Sequence, residues 1–222
     1  MSYLVLFDVD GTLLLTHDEV YVKANRDALL EVYGVAPEPP DLPGDTATAH
    51  TRRALKLGGL TDADIDAGLD RWCKTFSTRY VELLSGRDTS DWRAPAHAAA
   101  TLSRVDLRAL MTGNPERVAR ARMERLGLAD LFPNGQGAFG CERERRVALF
   151  ELACERAGNW PARDTVAVGD TPLDIQTAQS AGGRCVAVAT GRYARNDLVE
   201  ADAVISALDE LPDALARLAT VD

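Results

Sequence analysis

The chain has 222 residues, of which 46% are hydrophobic and 27% charged, an ordinary globular composition that can bury a substantial core. That length suits one core domain with a smaller insert rather than two large domains. The formal net charge of −9 argues against nucleic acid or an anionic membrane as the main partner, but leaves a small anionic substrate open, because a bound cation inverts the local field.

Tyr3 to Phe7 is a short apolar run that reads as a buried strand. It delivers Asp8 and Asp10, two apart, and Gly11 follows at once to allow a sharp turn. A helix is predicted from about Val20 to Tyr33, stopped by Gly34. A Pro-rich loop from Pro37 to Gly44 follows, then a helix from about Thr46 to Leu57. Thr61 caps a longer helix that runs towards Leu84, with Trp72, Phe76, Tyr80 and Leu83 on its apolar face. Residues 16–90 are thus expected to be all-helical.

From about residue 94 the pattern alternates. Pro95 to Arg104 reads as helix and Val105 to Met111 as a strand ending in Thr112-Gly113-Asn114. Glu116 to Leu126 reads as helix, then Asn134–Gly140 as a Gly-rich loop, then helix over about Arg145–Ala157. Asp164 to Val168 is a strand ending in Gly169-Asp170-Thr171-Pro172-Leu173-Asp174. Further strands are expected at Cys185–Ala189 and Ala203–Ile205, and a last helix at Leu208–Leu218. Such alternation implies right-handed parallel crossovers and a doubly wound α/β sheet.

Cys73, Cys141, Cys154 and Cys185 form no CxxC pair. They read as buried or neutral thiols rather than a zinc site or a disulfide framework, in keeping with a reducing cytosol. The N-terminus has no basic region ahead of its apolar run, and no apolar stretch nears the ~20 residues of a bilayer span. The expectation is a soluble, cytoplasmic protein.

Three strands end in polar groups: Asp8 and Asp10, Thr112, and Asp170 and Asp174. Ligands of open α/β sheets bind at such ends. Clustered aspartates call for a hard divalent cation with oxygen ligands, and Mg²⁺ accepts a few carboxylates plus water. The arrangement resembles the haloacid dehalogenase superfamily over essentially the whole chain. Asp8-Val9-Asp10-Gly11-Thr12 fits the family's DxDG[TS], Leu110-Met111-Thr112-Gly113 its apolar strand ending in Ser or Thr, and Gly169 to Asp174 its GDxxxD.

The resemblance implies a Rossmann-like core of residues 1–15 and 91–222, with residues 16–90 as an all-helical cap. It implies a Mg²⁺-dependent phosphatase, similar to the phosphoglycolate phosphatase branch, acting on a small phosphorylated metabolite as a monomer or homodimer. Asp8 is then the nucleophile and Asp10 the acid/base. Mg²⁺ is held by Asp8, the Asp10 backbone carbonyl and Asp170, with Asp174 binding through water or orienting Asp170. Thr112 and the Gly113 amide hold phosphoryl oxygens, and Asn114 and Thr46 stand at the substrate.

The chain departs from the family at the usual lysine. Arg143, Arg145 and Arg146 are on offer, and Arg146 sits best relative to Gly169. The rival reading makes all three solvated charges paired with Glu142 and Glu144. His50, Arg52, Arg53 and Lys56 lie where a substrate carboxylate could be met, while Trp72 and Phe76 read as cap core. Bland readings exist as well: Asp10 as a turn residue, Thr112 and Asp174 as helix caps. A dehalogenase has no use for Asp10. A phosphomutase, a phosphonatase and a non-enzymatic partner-binding protein remain alternatives on the same fold.

Overall fold

The computed structural model describes residues 2–38 and 42–220. Pro39 and Pro40 of the expected Pro-rich loop lie outside the described residues. Six strands form one parallel sheet: β1 (Leu4–Phe7), β2 (Leu107–Thr112), β3 (Ala138–Phe139), β4 (Thr165–Gly169), β5 (Arg184–Val188) and β6 (Ala203–Ile205). Their order is β3-β2-β1-β4-β5-β6. β1 is central, with Phe7 level with Leu110 of β2 on one side and Val168 of β4 on the other. The chain winds one way from β1 to β2 and the other way from β4 onward. The C-terminal ends of β1, β2 and β4 therefore lie side by side, at the point where a parallel sheet leaves a crevice.

Alternation along β1 decides which layer each residue feeds. Leu4 and Leu6 face one side, where α6 (Arg146–Arg156) and α7 (Pro172–Ser180) pack through Leu149, Phe150, Ile175 and Ala178. Val5 and Phe7 face the other side, towards α4 (Ala98–Ser103), α5 (Glu116–Arg125) and α8 (Leu211–Leu218). All four side chains of the strand are buried. Such near-continuous hydrophobicity is what a parallel strand covered on both faces requires.

Between β1 and α4 the described chain is helical: α1 (Glu19–Tyr33), α2 (Ala47–Leu57) and α3 (Asp62–Ser85). Asp18 caps α1, accepting hydrogen bonds from the Val20 and Tyr21 amides, and Gly34 ends it in the left-handed region at φ 74°. Thr61 caps α3 in a reciprocal box with Asp64. Trp72, Phe76 and Tyr80 are fully buried against α1 and continue the core of the second face. Truncating Trp72 or Phe76 to alanine would cost about 3–5 kcal/mol at such sites. The chain leaves for these helices at Leu15–Thr16 and returns beside it. Leu15 N donates to Arg93 O at 2.8 Å, and Arg93 N to Thr16 Oγ1 at 2.9 Å.

Two features correct the sequence reading. The Gly-rich loop contains β3, two residues paired with Met111 and Thr112. A two-residue strand is too short to show alternation, and its approach to β2 is possible because Gly137 has no side chain where a Cβ would overlap Leu110 O. Second, Cys73 on α3 and Cys141 after β3 form a disulfide, with Cα atoms 6.1 Å apart. The partners are separated by 68 residues and meet only because α3 folds over the loop after β3, so no local spacing announces them. The inference of a reducing compartment loses the support it drew from four free thiols. Cys154 and Cys185 are free and buried, as expected.

Candidate active site

Asp8 continues β1 beyond its last apolar residue, its amide still donating to Val168 O at 2.9 Å. Backbone pairing on both flanks of β1 thus fixes where the carboxylate points, and the side chain is 6% exposed. Gly11 turns the chain with φ +72°, and any Cβ there would overlap the Asp170 carboxylate. The turn lets Asp170, just past β4, sit directly beneath the loop, where Thr12 Oγ1 donates to its Oδ1 at 3.4 Å.

Carboxylate oxygens of Asp8, Asp170 and Asp174 lie within 4.8 Å of one another, and all three residues are buried. Burial raises Asp170 to about 8, helped by the negative charges of Asp8 and Asp174. Burial also raises Asp8, to about 6, against the opposing pull of the Arg146 guanidinium. Three buried acids facing one guanidinium are short of positive charge. An all-oxygen donor set of this kind fits a hard divalent cation such as Mg²⁺ or Ca²⁺, not a soft one.

Arg146, the first residue of α6, is buried and reaches into this cluster. Its Nη2 lies 2.5 Å from Asp174 Oδ1 and 3.1 Å from Asp8 Oδ2. Its Nη1 donates to Gly44 O at 2.5 Å, and its Nε is buried without a protein partner among the described residues. Arg143 and Arg145 are exposed, and Arg143 donates only to Glu142 O. Of the three candidate arginines, the structure brings Arg146 alone to the acids. Asp174 is also the third helical residue of α7, closing a capping box with Thr171 through Oδ2 while Oδ1 meets Arg146. Capping and site geometry therefore share one side chain.

Asp10 stands beside the acid cluster but is held by a separate set of partners. Asn114 Nδ2 donates to its Oδ2 at 2.7 Å, and Arg122 Nη1 lies 3.0 Å from both of its oxygens. Thr112 is buried at the end of β2, and its Oγ1 accepts from the Asn114 side chain at 2.9 Å. Gly113 abuts the second helix's entry loop, its carbonyl accepting from Ala47 N at 2.8 Å. Asp8, Asp10, Thr112, Gly113, Asn114, Arg146 and Asp170 line one cleft of about 590 Å³.

The entry to α2 closes that cleft from above. Thr46 lines it, but its hydroxyl is engaged, donating to Glu144 O at 2.7 Å and accepting from Ala49 N at 3.1 Å as the cap of α2. Among the four basic residues expected near a substrate, only His50 lines the cleft. Arg52 pairs with Asp62, Asp66 and Glu144, Arg53 with Asp45, and Lys56 with Asp62. His17 and Arg192 are further basic groups on the cleft wall. A second cleft of about 400 Å³, lined by Leu4, Arg108, Arg156 and Trp160, lies at the other end of the sheet. Its arginines are engaged, Arg108 by backbone carbonyls and Arg156 by Glu142 and Gly137 O.

Sequence reasoning places Tyr80 on the buried face of its helix but gives no site role to Arg122, Asp18 or Tyr80. Arg122 is 1% exposed and sits in α5 one turn beyond Val118, on the face buried with Ala119 and Met123. A charged residue on an otherwise apolar helical stripe was the available signal.

A family model for haloacid dehalogenase-like hydrolases matches residues 4–182. A phosphoglycolate phosphatase of Chromobacterium violaceum is 30% identical over 214 residues, covering 94% of each chain. One from Pseudomonas putida is 28% identical over 94% of this chain and 76% of its own. Among solved structures, a β-phosphoglucomutase from Clostridium difficile superposes with a TM-score of 0.69 at 17% identity, over 99% of this chain and 100% of that one. A predicted phosphoglycolate phosphatase from Haemophilus somnus gives 0.64 at 21% identity, over 96% and 98%. At those identities the structural likenesses establish the fold.

Proposed function

The chain belongs to the haloacid dehalogenase-like hydrolases and is a phosphatase of phosphomonoesters, and we propose that it hydrolyses a small phosphorylated metabolite of the phosphoglycolate kind through an aspartyl-phosphate on Asp8. The observation that carries this reading is the convergence of Asp8, Asp170, Asp174 and Arg146 at the end of the central strand, beside an Asp10 held apart from them. The relatives named phosphoglycolate phosphatase, matching over nearly the full chain, support the substrate class.

In this account an Asp8 oxygen attacks phosphorus in line while the bond to the leaving oxygen breaks. Asp10 gives its proton to that oxygen, then takes one from the water that hydrolyses the aspartyl-phosphate. Asp8, the Asp10 carbonyl and Asp170 would hold Mg²⁺, which when bound neutralises phosphoryl oxygens. Thr112 Oγ1 and the Gly113 amide lie on the same cleft and bind the phosphoryl group. Arg146 adds a charge that no accessible pH removes, and Asp174 aims that guanidinium.

Residues 16–90 act as a cap over the core formed by 1–15 and 91–222. Support comes from the adjoining exit and return of the chain at Thr16 and Arg93 and from the seating of Thr46 and Ala47 above Gly113. The test is hydrolysis of 2-phosphoglycolate and p-nitrophenyl phosphate with Mg²⁺ by the unmodified protein and by Asp8→Asn. Turnover of both esters by the unmodified protein, abolished in a folded Asp8→Asn variant, is expected. Retained turnover in that variant would remove Asp8 as nucleophile.

A further inference from the structure

Arg122 is 1% exposed, stands at the wall of the same cleft, and is left without a task by the chemistry above. Its guanidinium joins two carboxylates. Nε and Nη2 lie 3.0 and 2.8 Å from Asp18 Oδ2, and Nη1 lies 3.0 Å from each oxygen of Asp10. The ring of Tyr21 covers it at 4.9 Å and that of Tyr80 at 5.6 Å. Tyr80 donates its hydroxyl to the same Asp18 oxygen at 2.7 Å.

A purely structural ion pair would end at Asp18. Asp18 is 3% exposed and needs a cation, and an isolated buried charge costs several kcal/mol. Asp10 has no such need, because its side chain is 57% exposed and water could solvate it. Nη1 nevertheless engages both Asp10 oxygens. The same nitrogen lies 3.1 Å from Asn114 Oδ1, which turns the amide so that Nδ2 donates to Asp10 at 2.7 Å. Arg122 thus fixes Asp10 twice, once directly and once through Asn114.

We propose that Arg122 is a positioning residue that holds the Asp10 carboxyl group at the leaving oxygen, and that Asp18 and Tyr80 make this hold depend on the helices inserted after β1. The inference rests on the acid/base assignment of Asp10. In the first half-reaction the Asp8–phosphorus bond forms, the phosphorus–leaving-oxygen bond breaks and the proton on Asp10 passes to the leaving oxygen. In the second, water adds to phosphorus, its proton passes to Asp10 and the Asp8–phosphorus bond breaks. A misplaced Asp10 slows the first step only when the leaving group needs a proton, and slows the second for every substrate.

The experiment compares phenyl phosphate with p-nitrophenyl phosphate, two esters of similar shape whose leaving groups differ in their need for a proton. The variants are Arg122→Met, the double variant Arg122→Met/Asp18→Asn, chosen because it leaves no unpaired buried charge, with its fold checked by circular dichroism, Arg122→Lys, and Asp10→Asn. In the Arg122→Met variants, kcat/KM for phenyl phosphate should fall by about 10²-fold, and by at least about tenfold more than for p-nitrophenyl phosphate. With p-nitrophenyl phosphate these variants should show a burst of nitrophenolate equal to the enzyme, because the second step has become limiting. Arg122→Lys should recover part of the phenyl phosphate rate. Equal losses on both esters, or no loss, in a folded double variant would overturn the inference while a selective loss in Asp10→Asn leaves the acid/base reading standing. Absence of selectivity in Asp10→Asn itself would overturn that reading, and this inference with it.

Discussion

Asp8 and Asp10 leave the same strand two residues apart and enter opposite environments. Asp8 is buried among acids, and burial pushes it up to about 6 despite Arg146 at 3.1 Å. Asp10 is half-exposed and clamped by a buried arginine and an asparagine. One carboxylate is surrounded by too much negative charge and calls for a cation. The other is fixed by positive charge already built into the protein. In the proposed mechanism, two groups of one type acquire two roles through these different surroundings.

The contrast can be broken first at Arg146, the cation on the Asp8 side. Arg146→Ala removes the cation that the proposed mechanism places at the phosphoryl group and leaves Asp8 and Asp174 without their ion pair. Loss of such preorganised stabilisation should lower kcat by about 10²–10³-fold, read by steady-state hydrolysis with the fold checked by circular dichroism. Arg146→Lys should recover part of it, since Lys supplies charge without the two-armed reach to Asp174 and Gly44. An unchanged rate in Arg146→Ala would move the role to another basic residue and would break the comparison.

A smaller effect follows from the acids themselves. Asp170 has its carboxyl raised from 3.8 to about 8 in the folded protein and Asp8 from 3.8 to about 6. A raised acid holds its proton longer folded than unfolded. Its stabilising contribution is therefore complete below about pH 4 and is lost as pH climbs through 6 and 8. The metal-free protein should accordingly lose thermal stability from this pair across that window, measured as Tm against pH. Mg²⁺ favours the ionised carboxylates, so the Tm gain on adding it should grow from pH 5 to 8 over the range these values define. A gain independent of pH would separate the cation from these acids.

The doubly wound α/β class, five of the six strands and the acids at their ends were legible because each rests on local signals, whereas the two-residue β3 and the strand order were not. Short strands rich in apolar residues end at Asp8, Thr112 and Asp170, and parallel topology must bring such ends to one edge. The helix start at Thr61 was legible through capping chemistry, and the one near Thr46 through its helical pattern. Features created by folding distant segments together were not. The Cys73–Cys141 disulfide joins an inserted helix to a core loop, and Arg122 on α5 joins the β1–α1 connection (Asp10, Asp18), α3 (Tyr80) and the loop after β2 (Asn114). The engaged hydroxyl of Thr46 shows the limit from the other side. Its position at the cleft could be anticipated, but its hydrogen bond to Glu144 O, 98 residues away, could not.

The difference between Asp8 and Asp10 is tested most directly by trapping the covalent enzyme. The Asp10→Asn variant, mixed with Mg²⁺ and p-nitrophenyl phosphate and quenched in acid, should retain one phosphoryl group per chain. Mass spectrometry of its peptides should place that group on Asp8, with the bond cleaved by hydroxylamine as an acyl phosphate is. A variant that turns over without any trapped phosphoryl group, or one that carries it on another residue, would contradict the assignment of nucleophile and acid/base to these two aspartates.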